Sequence, residues 1–196
     1  GYEHYADRIR KIGPTAYDKM TEVVAPKKNS LNVLNHGDCW VNNMMFHYCP
    51  KIGKVDDVRF IDFQIARFSS PVLDLQYFIC TSPTDEVRYQ YRETLLEEYH
   101  SELVKYLKGL KLESHMITLD QLKEEFEEKD IFGLVTACTV LCAVMAQRSD
   151  APDLSEIKED HIEKGGENPM AKAFKGKKYK EVFQKMLVFY DKKGLI

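Results

Sequence analysis

Two short strings, separated by a pair of apolar runs, constrain this chain more than anything else in it. The first is His36-Gly37-Asp38-Cys39-Trp40-Val41-Asn42-Asn43 and the second is Ile61-Asp62-Phe63-Gln64. Met44-Met45-Phe46 follows the first string, and Val58-Arg59-Phe60-Ile61 leads into Asp62. Between them, Pro50-Lys51-Ile52-Gly53-Lys54-Val55-Asp56-Asp57 has the composition of a polar turn, so the two runs are expected to pair as a hairpin. That pairing brings Asp38, Asn43 and Asp62 to one end of a small sheet. Two carboxylates and a carboxamide converging there suit a hard, oxygen-seeking ion such as magnesium, shared with phosphate oxygens.

The order His-x-Asp-x4-Asn, then a hydrophobic strand ending in Asp-Phe, is that of the catalytic and metal loops of protein kinases and their relatives. With Trp40, Gln64 and the later Asp74-Leu75-Gln76-Tyr77, the chain resembles the ecdysteroid kinase-like (CHK kinase-like) family. That family is a branch of the aminoglycoside and choline phosphotransferases, which share the protein-kinase-like fold. The resemblance runs over most of the chain. It implies an α+β, mainly helical fold, the C-terminal lobe of a kinase-like domain with a small β-hairpin at the catalytic site. It also implies ATP and Mg2+ as cofactors and a small-molecule alcohol as acceptor, an ecdysteroid-like sterol being the namesake.

Bulk properties set the frame for this reading. A length of 196 residues allows one domain with a sizeable core. A net charge of −3, with the basic residues scattered, offers no nucleic-acid surface. The nearly uncharged stretch 131–146 is short for a membrane span and is expected to be a buried helix. Five cysteines without a Cys-x-x-Cys pair read as reduced thiols of a cytoplasmic protein. A zinc site from Cys39, His47 and Cys49 lacks a matching second ligand pair.

Along the chain, residues 1–12 form an amphipathic helix candidate that Gly13-Pro14 should break, with a second helix over 15–24. Residues 31–34 read as an apolar approach to the first string, and the segment from Asp62 to Ser70 carries no assigned element. A helix is expected over about 71–80, and another from Ser82-Pro83-Thr84-Asp85 to about residue 107, with Ser82 as cap and Gly109 beyond its end. Tyr91, Leu95, Tyr99, Leu103 and Tyr106 form its expected apolar stripe. Thr118-Leu119-Asp120-Gln121 is a capping box opening a charged helix to about 129, followed by the buried helix to about 148. Residues 149–169 read as a surface loop, and 178–192 as a final helix with Tyr179, Val182, Phe183, Met186 and Tyr190 on one side.

Asp38 is the expected catalytic residue: a fixed carboxylate can align an acceptor hydroxyl and take its proton. A lone loop aspartate would more readily serve backbone amides, but Asn43 and Asp62 in register favour catalysis. Asn43 and Asp62 are the expected metal ligands, Asp62 the more important for its charge. His36 is expected to brace the loop near Phe63, and Asp74 either to bond back to the catalytic loop, as the resemblance implies, or to cap a helix. Gly37 stands where protein kinases carry Arg, and Gln64 where they carry Gly after Asp-Phe, which points to the small-molecule branch. Trp40 either anchors the loop or lines the acceptor site. Lys175-Gly176-Lys177-Lys178 reads as solvated charge rather than a phosphate cradle.

Neither a Gly-x-Gly-x-x-Gly loop nor a Val-Ala-Ile-Lys-like strand occurs in the sequence. Both belong to the lobe that precedes the catalytic loop in this fold. Together with a start that lacks methionine, this leads to the expectation that the chain, 1–196, is the catalytic-loop lobe without its nucleotide lobe. The expected function is ATP-dependent phosphorylation of a small-molecule hydroxyl, with no nucleic-acid or membrane partner. The alternative is a catalytically inactive kinase-like binding module.

Overall fold

The computed structural model describes residues 1–28, 30–146 and 171–196. The fold is α+β and mainly helical, with two small antiparallel sheets among the described residues. The chain divides into two compact units, one of residues 18–133 and one of residues 1–17 with 134–196. The helix expected to continue over 147–148 and the loop expected over 149–169 lie outside the described residues.

Within the unit of residues 18–133, β2 (Met44–Tyr48) and β3 (Val55–Phe60) form the expected hairpin, with Met44 opposite Phe60 and His47 opposite Asp57. Its turn closes through the Cys49 N–H donating to the Lys54 carbonyl at 2.8 Å and the Gly53 N–H donating to the Cys49 carbonyl at 2.8 Å. Gly53 sits at φ 64° there, a conformation glycine adopts without a Cβ penalty. A second sheet was not foreseen: β1 (Val33–Asn35) pairs with β4 (Arg67–Ser69), Leu34 opposite Phe68. Three-residue strands are too short to show a period in sequence. This sheet ties the chain entering the first string to the chain leaving the second. Buried Asn35 reinforces it, its amide Nδ2 donating to the Ser69 carbonyl at 3.0 Å.

The helices of this unit bury Val72 and Ile79 of α2 (Val72–Thr81), Leu96 of α4 (Arg92–Gly109), and Leu122 and Phe126 of α5 (Leu119–Glu128) in one cluster. A polar network lies beside it. Gln76 Nε2 donates to the Phe126 carbonyl at 2.6 Å and to Asp130 at 3.0 Å, and the Arg92 guanidinium donates to Asp130 at 2.8 Å. Such a network is tolerable in an interior because its members satisfy one another. The Thr118 capping box forms as expected, with both reciprocal hydrogen bonds made.

Several boundaries depart from the sequence expectation. The helix expected to start at Ser82 starts instead as α3 (Asp85–Gln90), capped by Thr84, and breaks at Tyr91 before α4. Ser82 is taken up elsewhere, its Oγ accepting from the Val41 N–H at 3.0 Å. The buried face of α4 runs through Arg92, Leu96 and Leu107, with Leu95 and Tyr99 packed against the core, while Tyr91 and Tyr106 are exposed. Buried Arg92, paired with Asp130, takes a place on that face. Gly109 lies inside α4, and the left-handed residue that ends the helix is Lys111, at φ 57°. The Leu112 N–H then reaches the Leu107 carbonyl at 2.8 Å and the Lys111 N–H the Lys108 carbonyl at 3.0 Å, the Schellman pattern.

The helix α1 (Glu3–Val24) is continuous, so Pro14 does not end it. Proline costs a helix one backbone hydrogen bond. Here Arg10, Gly13 and Pro14 are all exposed, so water can serve the carbonyl left over. In the unit of residues 1–17 and 134–196, Tyr5 donates its hydroxyl to Asp191 at 3.0 Å, and Arg8 pairs with the same carboxylate at 2.7 Å. The helix expected from residue 131 appears as α6 (Asp130–Thr139) and α7 (Leu141–Val144), interrupted at Val140. After α8 (Ala171–Lys175), the final helix α9 (Lys177–Lys192) buries Tyr179, Met186, Leu187 and Tyr190. Lys175, Lys177 and Lys178 are exposed, with Gly176 as the cap between α8 and α9.

Candidate active site

The two strings meet at the end of the hairpin where Met44 pairs with Phe60. Residues 41–43 form one 3-10 turn, which delivers Asn43 to the strand start with its side chain buried. Its amide Nδ2 donates to the Asp38 carbonyl and to Asp38 Oδ2, both at 2.9 Å. This fixes the amide's orientation and leaves its carbonyl oxygen as the atom able to face a cation. The Asn43 main-chain carbonyl accepts from the Ile61 N–H at 3.0 Å. The residue before Asp62 is thereby pinned to the residue that ends the first string.

His36 closes the other side. The Asp38 N–H donates to its Nδ1 at 3.3 Å, so the ring proton resides on Nε2, which donates to the Ile61 carbonyl at 2.7 Å. The ring also packs on Phe63, 4.5 Å between centroids, and faces Phe60 at 5.9 Å. One buried imidazole thus touches both strings. Asp62 itself is exposed and adopts φ 65°, a left-handed conformation that Asp tolerates better than most residues.

Asp74 sits in the first turn of α2, not at its cap, which is Pro71. Its carboxylate accepts from the His36 N–H at 2.6 Å and from the Gly37 N–H at 3.0 Å. Gly37 has its own reason to be glycine. At φ 86°, a Cβ there would stand 2.2 Å from the Ile65 carbonyl oxygen. The backbone of the first string and that of the residue just after the second touch at this point, where only a hydrogen leaves room.

A residue that the sequence reading did not assign is Tyr77. Its hydroxyl donates to Asp38 Oδ1 at 2.5 Å. Burial first, and then the hydrogen bond to Asp38, push the Tyr77 hydroxyl pKa well above the phenol range, so it stays a donor. The signal was present: Tyr77 lies three residues after Asp74, on the same helical face. Cys39, beside the site, is buried, and its thiol is pushed up to about 12, mainly by burial and then by Asp74 and Asp38. It is a packed thiol rather than a nucleophile. Trp40 is half-buried, and its indole Nε1 has no hydrogen-bond partner. Among the described residues no three His, Cys, Asp or Glu side chains cluster as a metal site, the imagined Cys39, His47, Cys49 set included.

The model of the ecdysteroid kinase-like family matches residues 1–112, which include both strings, the hairpin and α2. This chain belongs to the ecdysteroid kinase-like family. No curated protein and no solved structure gives a significant match. The family is one of kinase-like phosphotransferases, so the coarse class of chemistry is transfer of a phosphoryl group to a small molecule. Ecdysteroid kinase-like membership covers the site entirely, since each group described above lies before residue 112. Among the described residues, no helix is long and apolar enough to cross a membrane.

Proposed function

We propose that the protein transfers the terminal phosphoryl group of ATP to a hydroxyl of a small molecule, an ecdysteroid-like sterol or related alcohol, with magnesium. The observation that carries this reading is the clamped carboxylate of Asp38, held by Asn43 at one oxygen and Tyr77 at the other. A carboxylate fixed in this way can align an acceptor hydroxyl and take its proton as the new phosphorus–oxygen bond forms and the bond to ADP breaks. The Asn43 carbonyl oxygen and the exposed Asp62 carboxylate are hard oxygen donors of the kind magnesium takes alongside phosphate oxygens. When bound there, the ion would supply charge neutralisation for the phosphates. His36 and Asp74 hold the backbone on which these groups sit.

The chain is read as the catalytic-loop lobe of a larger kinase-like domain. Supporting this is the hairpin, one face of which leaves Phe46, Tyr48, Val58 and Phe60 exposed. Apolar surface of that extent ordinarily marks a covered face, and a nucleotide lobe supplying a glycine loop and a lysine is the covering proposed. The five cysteines form no disulfide, which suits a reducing, cytoplasmic setting.

The test is a phosphate-transfer screen of the full-length protein with magnesium-ATP against sterols, choline-like amines, and plant and drug alcohols, alongside Asp38→Asn. Transfer to at least one alcohol is expected, with turnover at least ~100-fold lower in a folded Asp38→Asn variant. No transfer to any acceptor, or near-normal turnover by that variant, would refute the proposal.

A further inference from the structure

Asp38 is gripped by residues from two different elements, and one of them does nothing else visible in the fold with its polar atom. Asn43 belongs to the same loop, and its Nδ2 group bonds the Asp38 main chain as well as the carboxylate. Tyr77 comes from the middle of α2, thirty-nine residues away in sequence, and spends its hydroxyl on Oδ1. Its ring is buried at 8% exposure, so the hydroxyl cannot swing to water without leaving its site. The helix carrying it is itself fastened to the loop through Asp74, whose carboxylate takes the His36 and Gly37 N–H groups. The Tyr77 backbone is further tied down by Thr81, whose Oγ1 donates to the Tyr77 carbonyl at 2.7 Å. The donor is therefore presented from a helix that is itself bonded to the loop.

A carboxylate held at only one oxygen can still rotate about its terminal torsion, which is a broad, nearly two-fold well. Hydrogen bonds from opposite sides to both oxygens stop that rotation. Each oxygen retains a second lone-pair site, because an ionised carboxylate has about four. The plane of the group, and hence the direction in which a remaining lone pair meets an acceptor hydroxyl, is then set by Tyr77 together with Asn43.

We infer that Tyr77 is a positioning residue for the proposed transfer, acting through Asp38 by fixing the plane of its carboxylate without touching either substrate. The inference rests on the phosphotransferase reading above. It requires the Tyr77 hydroxyl, not its ring, and it requires Asp38 to be present for the hydroxyl to matter.

The experiment is a cycle of Tyr77→Phe, Asp38→Asn and the double variant in the full-length protein, with magnesium-ATP and the acceptor returned by the alcohol panel. Tyr77→Phe should lower kcat by about 10- to 100-fold, in the range that misplacement of a reacting group produces. KM for ATP and for the acceptor should stay within about twofold, because the hydroxyl touches neither. In the Asp38→Asn background the same change should have no further effect on turnover. If Tyr77→Phe proves poorly folded, 3-fluorotyrosine at position 77 retains the donor and the shape, and should keep kcat within about threefold of the parent. Unchanged kcat in folded Tyr77→Phe, a loss confined to KM, or an equal loss in the Asp38→Asn background would each overturn the role of Tyr77 and leave the phosphotransferase reading intact. A parent protein with no transfer to any acceptor would overturn that reading and the inference with it.

Discussion

Asp62 and Asn43 are unequal partners in any cation site at this end of the hairpin. Asn43 spends both amide hydrogens on Asp38 and offers a neutral carbonyl, whereas Asp62 offers a formal charge from an exposed position. Asp62→Asn should therefore raise the magnesium concentration for half-maximal turnover more than Asn43→Ala does. Magnesium titrations of the two variants decide it, and the reverse order would make Asn43 the main ligand. Gly37 yields a second expectation. Alanine there meets both a left-handed backbone and the Ile65 carbonyl, so Gly37→Ala should lose at least ~1–2 kcal/mol of stability from the dihedral alone. Urea unfolding measures this, and a loss below about 0.5 kcal/mol would mean that Gly37 is not held in a left-handed conformation. That Asp38 and Asn43 meet at the end of a hairpin leading to Asp62 was legible, because the spacing and the apolar runs between them survive in one dimension. Tyr77 was only half legible: its spacing from Asp74 puts it on the face of α2 that meets the loop, but its bond to Asp38 and the steric demand on Gly37 depend on what a distant segment places beside them.

Elements announced by side-chain chemistry came through the sequence well. The Thr118 capping box and the hairpin formed as expected, since each is specified by neighbours within a few residues. The failures have a common physical cause: long-range partners outweighed local signals. Ser82 has the makings of a cap, yet it serves the Val41 N–H, and Thr84 caps α3 instead. The sheet of β1 and β4 joins strands far apart in sequence and leaves no periodic trace. Gly109 is a local miss at a helix end: it is the last residue of α4, two before the left-handed Lys111 that ends the helix, and a Cβ there meets nothing within 4 Å. Gly109→Ala should accordingly stabilise the protein by roughly 0.5–1 kcal/mol. A higher unfolding midpoint with unchanged denaturant slope is the expected result, and destabilisation would place Gly109 at the cap after all.

At the scale of the whole molecule, the exposed face of the hairpin leads to an expectation about the chain taken by itself. Phosphoryl transfer depends on positioning and on neutralising charge spread over the phosphates. Residues 1–196 supply the proposed acceptor-side carboxylate and the two proposed ion ligands, with no glycine loop to cover the phosphates. Expressed alone, they should bind magnesium-ATP weakly, with no heat of binding below millimolar concentration, and self-associate through the hairpin. Calorimetry and sedimentation test both, and micromolar binding would relocate the nucleotide site. Most of this architecture is arranged around one short helix, and α2 has the character of a ruler. Asp74 meets His36 and Gly37 near its start, Tyr77 meets Asp38 in its middle, and Ser82 just past its end meets Val41. Three graduations on the helix are read off against three successive stations of the loop, His36-Gly37, Asp38 and Val41. A substitution erases one graduation and leaves the scale true. A single inserted residue would turn everything downstream by about 100° and advance it by about 1.5 Å, so sequences that keep this loop must also keep the spacing of Asp74, Tyr77 and Ser82 along α2.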